Sequence, residues 1–401
     1  MTSSPVWIKF GTPEYRRTGA ALFLAGFATF SLLYCVQPLM PLFAGEFSVS
    51  PAQSSLALSL TTGALAFSVA AAGAFSQAIG RRGLMFASMA LAAVFNFLAG
   101  VIPDWHGLLA ARALVGVVLG GLPPVAMAYL AEEIDPDHLS KSMGLYVAGS
   151  AFGGMMGRIG MGILSEFMSW RPALIVLSAY CLVAAIGFRL LLPASRNFVR
   201  RPGLNIAFHL GVFRRHLGAR GLLRIYVSAF VGISIFVVLF NYMTFRLTEA
   251  PYLLNQAAVS LIFLIYGFGV ISSSMGGALA DRFGARPLLI GSFACMLAGI
   301  LLTLAGSLTV IVAGLIIMTT SYFVAHAVNS ASVGPLAGNA KAHASALYLV
   351  FYYLGSSISG TAGGWAWEHG GWMSVVIFAS ACALIGLTLS LSVPSRRSTP
   401  A

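Results

Sequence analysis

Two arginines stand inside long apolar runs, where an insertion scale charges about 2.5–3.5 kcal/mol for the residue at a helix centre, so each must face a cavity or a partner. Arg112 lies about five residues inside the outer end of its run, roughly 7 Å at 1.5 Å per residue. That is close enough either to snorkel to the interface or to meet Gln37 at the outer end of the first run. Arg158 lies about eight residues in, roughly 12 Å, too deep for easy escape, which points to a ligand-facing cation. His326 has Tyr322 four before it and Asn329 three after it, so the three share a helical face. This histidine either takes a proton near neutral pH or stays neutral on a neighbouring carbonyl. Asn241 and Ser234 are seven apart and share another face, while Tyr348 and Tyr352 offer either an aromatic wall or aromatic packing. All eleven acids (Glu14, Glu46, Asp104, Glu132, Glu133, Asp135, Asp137, Glu166, Glu249, Asp281, Glu368) fall in connections or at the ends of runs. The chemistry on offer is binding and proton exchange. A membrane enzyme would need clustered His, Asp or Cys at one face, and none is apparent, so no catalytic, cofactor-binding or metal-binding residue is expected.

The elements that position these residues are membrane spans. Of 401 residues 58% are hydrophobic and only 8% charged, against roughly a quarter charged in soluble domains. The formal charge of +12 does not argue for nucleic acid, because the basic residues sit in the gaps between apolar runs without interleaved aromatics. Cys35, Cys181, Cys295 and Cys382 stand alone in separate runs and read as packing residues. The first run covers about Thr18 to Phe43; others of bilayer length, roughly 20 residues, begin near Ser54, Leu84, Gly107, Gly144, Pro172, Leu222, Ala257, Leu288, Thr309, Ala344 and Trp372. The expected fold is all-α, with twelve transmembrane helices in two pseudo-symmetric six-helix bundles.

That pairing rests on an internal repeat. The stretch Gly277-Ala-Leu-Ala-Asp281-Arg282-Phe-Gly284-Ala-Arg286 has a degenerate twin 204 positions earlier, Gly73-Ala-Phe-Ser-Gln77-Ala-Ile-Gly80-Arg81-Arg82. Tyr146, Gly153, Gly162 and Trp170 recur 202 positions on as Tyr348, Gly355, Gly364 and Trp372. The expected organisation is residues 1–192 as one bundle, 193–221 as a basic linker on the cytoplasmic membrane surface, and 222–401 as the second bundle. With both termini inside, eighteen Lys and Arg fall on the cytoplasmic side and only Arg171 and Arg246 outside, as orientation by positive charge requires. Glycines gather in the fourth, fifth and eleventh spans, where small residues let backbones approach.

The repeated hinge resembles motif A of the major facilitator superfamily, with Gly73, Gln77, Gly80 and Arg81 in the first half and Gly277, Asp281, Arg282, Gly284 and Arg286 in the second. Leu108 to Gly116 resembles the family's motif B, with Arg112 at its arginine position. The fifth-span glycines resemble motif C of the drug:proton antiporter branch. The strings Tyr34-Cys-Val-Gln37-Pro38-Leu-Met-Pro41, Gly153-Gly-Met-Met-Gly157-Arg158, Asn241-Tyr242 and Tyr352-Tyr353-Leu-Gly355 are similar to those of YnfM-type inner-membrane transporters. The resemblance covers the whole chain. It implies that spans one, four, seven and ten line a central path, where Gln37, Arg112, Asn241 and His326 fall, and that gating places Asp281 near Ser140 and Gln77 near His343. It further implies a multi-pass inner-membrane secondary transporter working by alternating access in proton-linked efflux. The expected partners are a small-molecule substrate, protons and the lipid bilayer, with no nucleic acid, and the protein is expected to be a monomer. Because Arg112 and Arg158 enter the membrane without a mid-span acid, the expected substrate is polar, anionic or zwitterionic. Multidrug efflux of lipophilic compounds and a non-transporting sensor that keeps the fold stand as alternatives.

Overall fold

The computed structural model describes residues 7–198, 206–338 and 340–393; the side chains of 73–79, 206–208, 277 and 281 lie outside that description. The order of helices is α1 (Pro13–Tyr34), α2 (Met40–Glu46), α3 (Pro51–Ile79), α4 (Arg81–Val101), α5 (Trp105–Leu119), α6 (Pro123–Glu133), α7 (Leu139–Phe167) and α8 (Trp170–Leu191). It continues through α9 (Ile206–Gly218), α10 (Arg220–Thr248), α11 (Gln256–Ser260), α12 (Tyr266–Phe283), α13 (Ala285–Leu302), α14 (Leu308–Leu336) and α15 (Lys341–Leu391). Among the described residues, ten helical stretches are long and apolar enough to cross a bilayer, α1 with α2 and α5 with α6 each counting as one. One of the ten, α15, holds a break at Gly370 and Gly371, the latter at φ +58°, and so supplies two crossings. The twelfth is α7, 29 residues long, whose mean hydropathy is held down by Arg158 and its glycines.

The chain forms two compact units, Met1–Leu39 with Leu60–Asn205, and Met40–Ser59 with Ile206–Ala401. In the first, α1 runs against α7 at backbone distance. A Cβ on Gly149 would stand 2.5 Å from the Phe23 carbonyl oxygen, and one on Gly153 would overlap that of Phe27. In the second, α10 and α15 repeat the contact: a Cβ on Gly355 would stand 2.5 Å from the Phe230 oxygen. Serines seal both seams, Ser31 donating to the Gly153 carbonyl at 2.9 Å and Ser234 to the Gly355 carbonyl at 3.4 Å. Another serine pair, 204 positions apart, binds the next helix over: Ser68 donates to Gly116 and Ser272 to Thr320, each at 3.1 Å. The hinge glycines carry the same backbone, Gly80 at φ +108° and Gly284 at φ +85°, a region that glycine alone enters cheaply. The repeat therefore holds at the level of individual hydrogen bonds and dihedral angles.

Helix ends are tied down by arginine. Arg171 donates to the carbonyls of Ile102 (2.7 Å) and Pro103 (3.2 Å) at the end of α4. Arg246 does the same for Thr303 and Ala305 (2.9 Å) at the end of α13, since the last carbonyls of a helix are unsatisfied and favour a cation. Glu133, fully buried at the end of α6, accepts the N–H groups of Arg196 (2.9 Å) and Asn197 (3.0 Å), and its carbonyl accepts from Ile8 (2.8 Å). The start of the expected linker thus folds onto the first unit. Its helical part, α9, docks in the second through a 2.8 Å hydrogen bond between His209 Nδ1 and His343 Nε2. Residues Met40–Ser59 are built into the second unit as well: the Ala52 N–H donates to Glu368 at 2.8 Å, and Ser357 donates to the Ser59 carbonyl at 2.7 Å.

Candidate functional site

The two intramembrane arginines, both in the first unit, have different surroundings. Helix α1 stops at Tyr34, and the chain enters a single 3-10 turn, Gln37–Leu39. The carbonyls left open by that stop are claimed from α5: Arg112 donates to Leu32 (2.9 Å) and Leu33 (2.8 Å) and to Asn96 Oδ1 on α4 (2.9 Å). Asn96 passes the bond on to Ser178 of α8 at 2.9 Å. Arg112 is fully buried, so snorkelling is not its role; it is a clasp that ties α1, α4 and α5 together. Gln37, which the sequence brought to Arg112, is carried by the 3-10 turn to α7, where it accepts from Arg158 Nε at 2.5 Å.

Arg158 is 2% exposed. Its Nη1 donates to the Gly154 carbonyl one turn earlier, and its guanidinium lies 4.0 Å from the centroid of the Tyr34 ring. These partners are a carbonyl, an amide and a π face. They orient the planar fork and stabilise it by dipole and quadrupole. The arrangement is a preorganised cation.

In the second unit the tenth-span face faces two helices. Tyr322 donates to Tyr352 at 3.1 Å, and His326 Nδ1 meets the Tyr348 hydroxyl at 2.9 Å, both partners on α15. The rings of Tyr322, Tyr348 and Tyr352 lie 6.0, 5.7 and 5.0 Å from the imidazole, so three tyrosines surround a half-buried His326. Asn329 turns the other way and donates to Ser228 of α10 at 2.8 Å. Asn241 is fully buried, with its amide nitrogen 3.5 Å from where a Cβ on Gly360 would sit.

Of the hinge residues, Arg81 pairs with Glu132, donating through Nη2 at 2.6 Å and Nε at 3.1 Å. Arg282 is exposed against the Phe283 ring at 5.1 Å, and Arg286 is half-buried. Gly73 and Gly277 and the side chains of Gln77 and Asp281 lie outside the description, and with them the expected approaches to His343 and Ser140. Sequence reasoning missed Tyr34 as the ring beneath Arg158 and Asn96 as the relay behind Arg112. A lone amide inside the apolar run of α4 was the available signal for Asn96.

Comparison with known proteins agrees with this architecture. The family model described as Major Facilitator Superfamily matches residues 22–271. The MFS-type transporter YybF of Bacillus subtilis (strain 168) is 42% identical over 385 residues, covering 96% of this chain and 95% of that protein. The inner membrane transport protein YnfM of Escherichia coli (strain K12) is 42% identical over 390 residues, 97% of this chain and 93% of that protein. Among solved structures, a bacterial homolog of the human lysosomal transporter Spinster, in an inward-facing and unoccupied conformation, superposes with a TM-score of 0.76. It covers 95% of this chain and 98% of its own at 14% identity, which speaks to the fold alone. The chain belongs to the major facilitator superfamily, and is a multi-pass membrane transporter, not an enzyme.

Proposed function

We propose that this transporter works by alternating access as a proton-linked exporter of a small polar molecule that is anionic or zwitterionic. The observation that carries the reading is Arg158, a buried guanidinium set over the Tyr34 ring and oriented by its bonds to Gln37 and the Gly154 carbonyl. A carboxylate or phosphate on the substrate is the group that matches the guanidinium fork, which suits a bidentate contact. His326 in its tyrosine surround is the group we assign to proton exchange, Tyr348 being its hydrogen-bond partner. Gln37, Asn241, Tyr322, Asn329 and Tyr352 complete the proposed substrate and proton pathway, with Arg112 holding its walls. The excess of Lys and Arg in the even-numbered connections and at both termini supports cytoplasmic ends in an inner membrane.

The test is transport in proteoliposomes with an imposed proton gradient, comparing organic anions, zwitterions and lipophilic cations. Anion or zwitterion movement that depends on the gradient and is lost in Arg158→Ala supports the reading. Good transport of ethidium-like cations with anions ignored sinks it. An apolar cleft of about 650 Å3 among α3, α4 and α5, lined by Phe67, Leu84, Leu91 and Val117, favours a second reading, efflux of lipophilic compounds, and the same assay decides between them.

A further inference from the structure

At the start of α10 the second unit has a small cleft of about 240 Å3 lined by Arg220, Leu223, Arg224, Val227 and Leu389. Arg220 and Arg224 are one turn apart on one helical face, an arrangement of like charges that is unfavourable by itself. The first turn of α10 contains no acidic residue, and the positive end of the helix adds to the strain on a cation placed there. Arg224 is held at the rim by donating to the Ser392 carbonyl at 2.8 Å; Arg220 is exposed. The remaining walls are aliphatic. Leu223 itself is 38% exposed, and on α15, in the turns before Leu389, Leu384 and Ile385 are exposed at 50% and 47%.

We propose that this cleft is a binding site for an anionic phospholipid, its phosphate between Arg220 and Arg224 and its acyl chains along Leu223, Val227 and Leu389. The anion relieves the like-charge pair, and the hydrocarbon covers the aliphatic walls, so one ligand satisfies both features. A free phosphate would satisfy only the first, and a zwitterionic lipid would bring its own cation to a site that already has two. The proposal rests on the spans and is independent of the substrate reading.

Full-length protein is purified and returned to phosphatidylcholine nanodiscs with or without phosphatidylglycerol, and thermal unfolding is followed alongside native mass spectrometry of lipids that stay bound after gentle delipidation. Phosphatidylglycerol should raise the unfolding midpoint and be retained, while inorganic phosphate added to the phosphatidylcholine discs should do neither. Arg220→Gln, at an exposed position, should lose most of the shift and of the retained lipid; Leu223→Glu, which places a carboxylate between the arginines, should do the same. R214Q/R215Q removes two exposed charges of α9 that do not line the cleft and should keep both effects. An undiminished shift in Arg220→Gln, equal loss in R214Q/R215Q, or reproduction of the shift by inorganic phosphate would overturn the proposal.

Discussion

Arg112 and Arg158 carry the same charge and are almost equally buried, but their partners assign them opposite roles. Arg112 satisfies the carbonyls of Leu32 and Leu33 and the Asn96 amide, acceptors that would each cost about 1–3 kcal/mol if left buried and unmade. Arg112→Ala should therefore lower the thermal midpoint of the purified protein sharply, and Arg112→Lys should recover part of it, since one ammonium cannot reproduce the fork. Arg158→Ala should leave that midpoint nearly unchanged while abolishing transport of an anionic substrate, because the repeat places Gly360 at the corresponding position. If Arg158→Ala unfolds the protein as Arg112→Ala does, the two arginines share one structural role. For His326, both His326→Gln and Tyr348→Phe should flatten the pH profile of transport, the second by removing the hydroxyl at Nδ1; a profile unchanged in both variants returns the histidine to packing.

Among the helices, glycine marks where the backbone leaves no room for a side chain. Gly80 is at φ +108° with open space where a Cβ would go, whereas Gly83, three residues on in α4, also has open space but an ordinary helical backbone. Gly80→Ala should cost about 1–3 kcal/mol from a backbone region that is essentially confined to glycine, and Gly83→Ala should be neutral or slightly stabilising. Chemical denaturation of the two variants separates conformational strain from crowding. Gly153 shows the opposite limit, where a Cβ would strike the Phe27 carbonyl. Gly153→Ala should cost about 1–3 kcal/mol by overpacking, with a matching loss for Gly355→Ala in the second unit. A large asymmetry between them would show that the repeated seam is not equally tight in both.

For the molecule as a whole, the repeat was legible because it is written in residue types: the hinge glycines, the tyrosine and tryptophan echoes, and the apolar run lengths all recur. That α15 holds two spans was legible as well, as a last apolar run starting near Trp372, just past the break at Gly370 and Gly371. What stayed hidden are contacts whose acceptor is the backbone. No residue type announces the carbonyls of Leu32 and Leu33, so Arg112 read as a cavity charge, and nothing in composition announces that residues 40–59 are built into the second unit. Glu368 anchors that segment by accepting the Ala52 N–H at 2.8 Å. Glu368→Ala should loosen the first turn of α3 by about 0.5–2 kcal/mol, the range of a lost helix cap, and amide exchange at residues 52–55 should rise accordingly.

That segment also has a history in time. Its anchor lies 316 residues downstream of Ala52, and at about 5–20 residues per second the ribosome needs roughly 15–60 s to make that stretch. Throughout that interval the glycines that Ser59 and Ala52 pack against, Gly360 and Gly364, do not yet exist. The packing of the serine-bearing first turns of α3 (Ser54, Ser55, Ser59) is therefore completed only when the last part of the chain has been made.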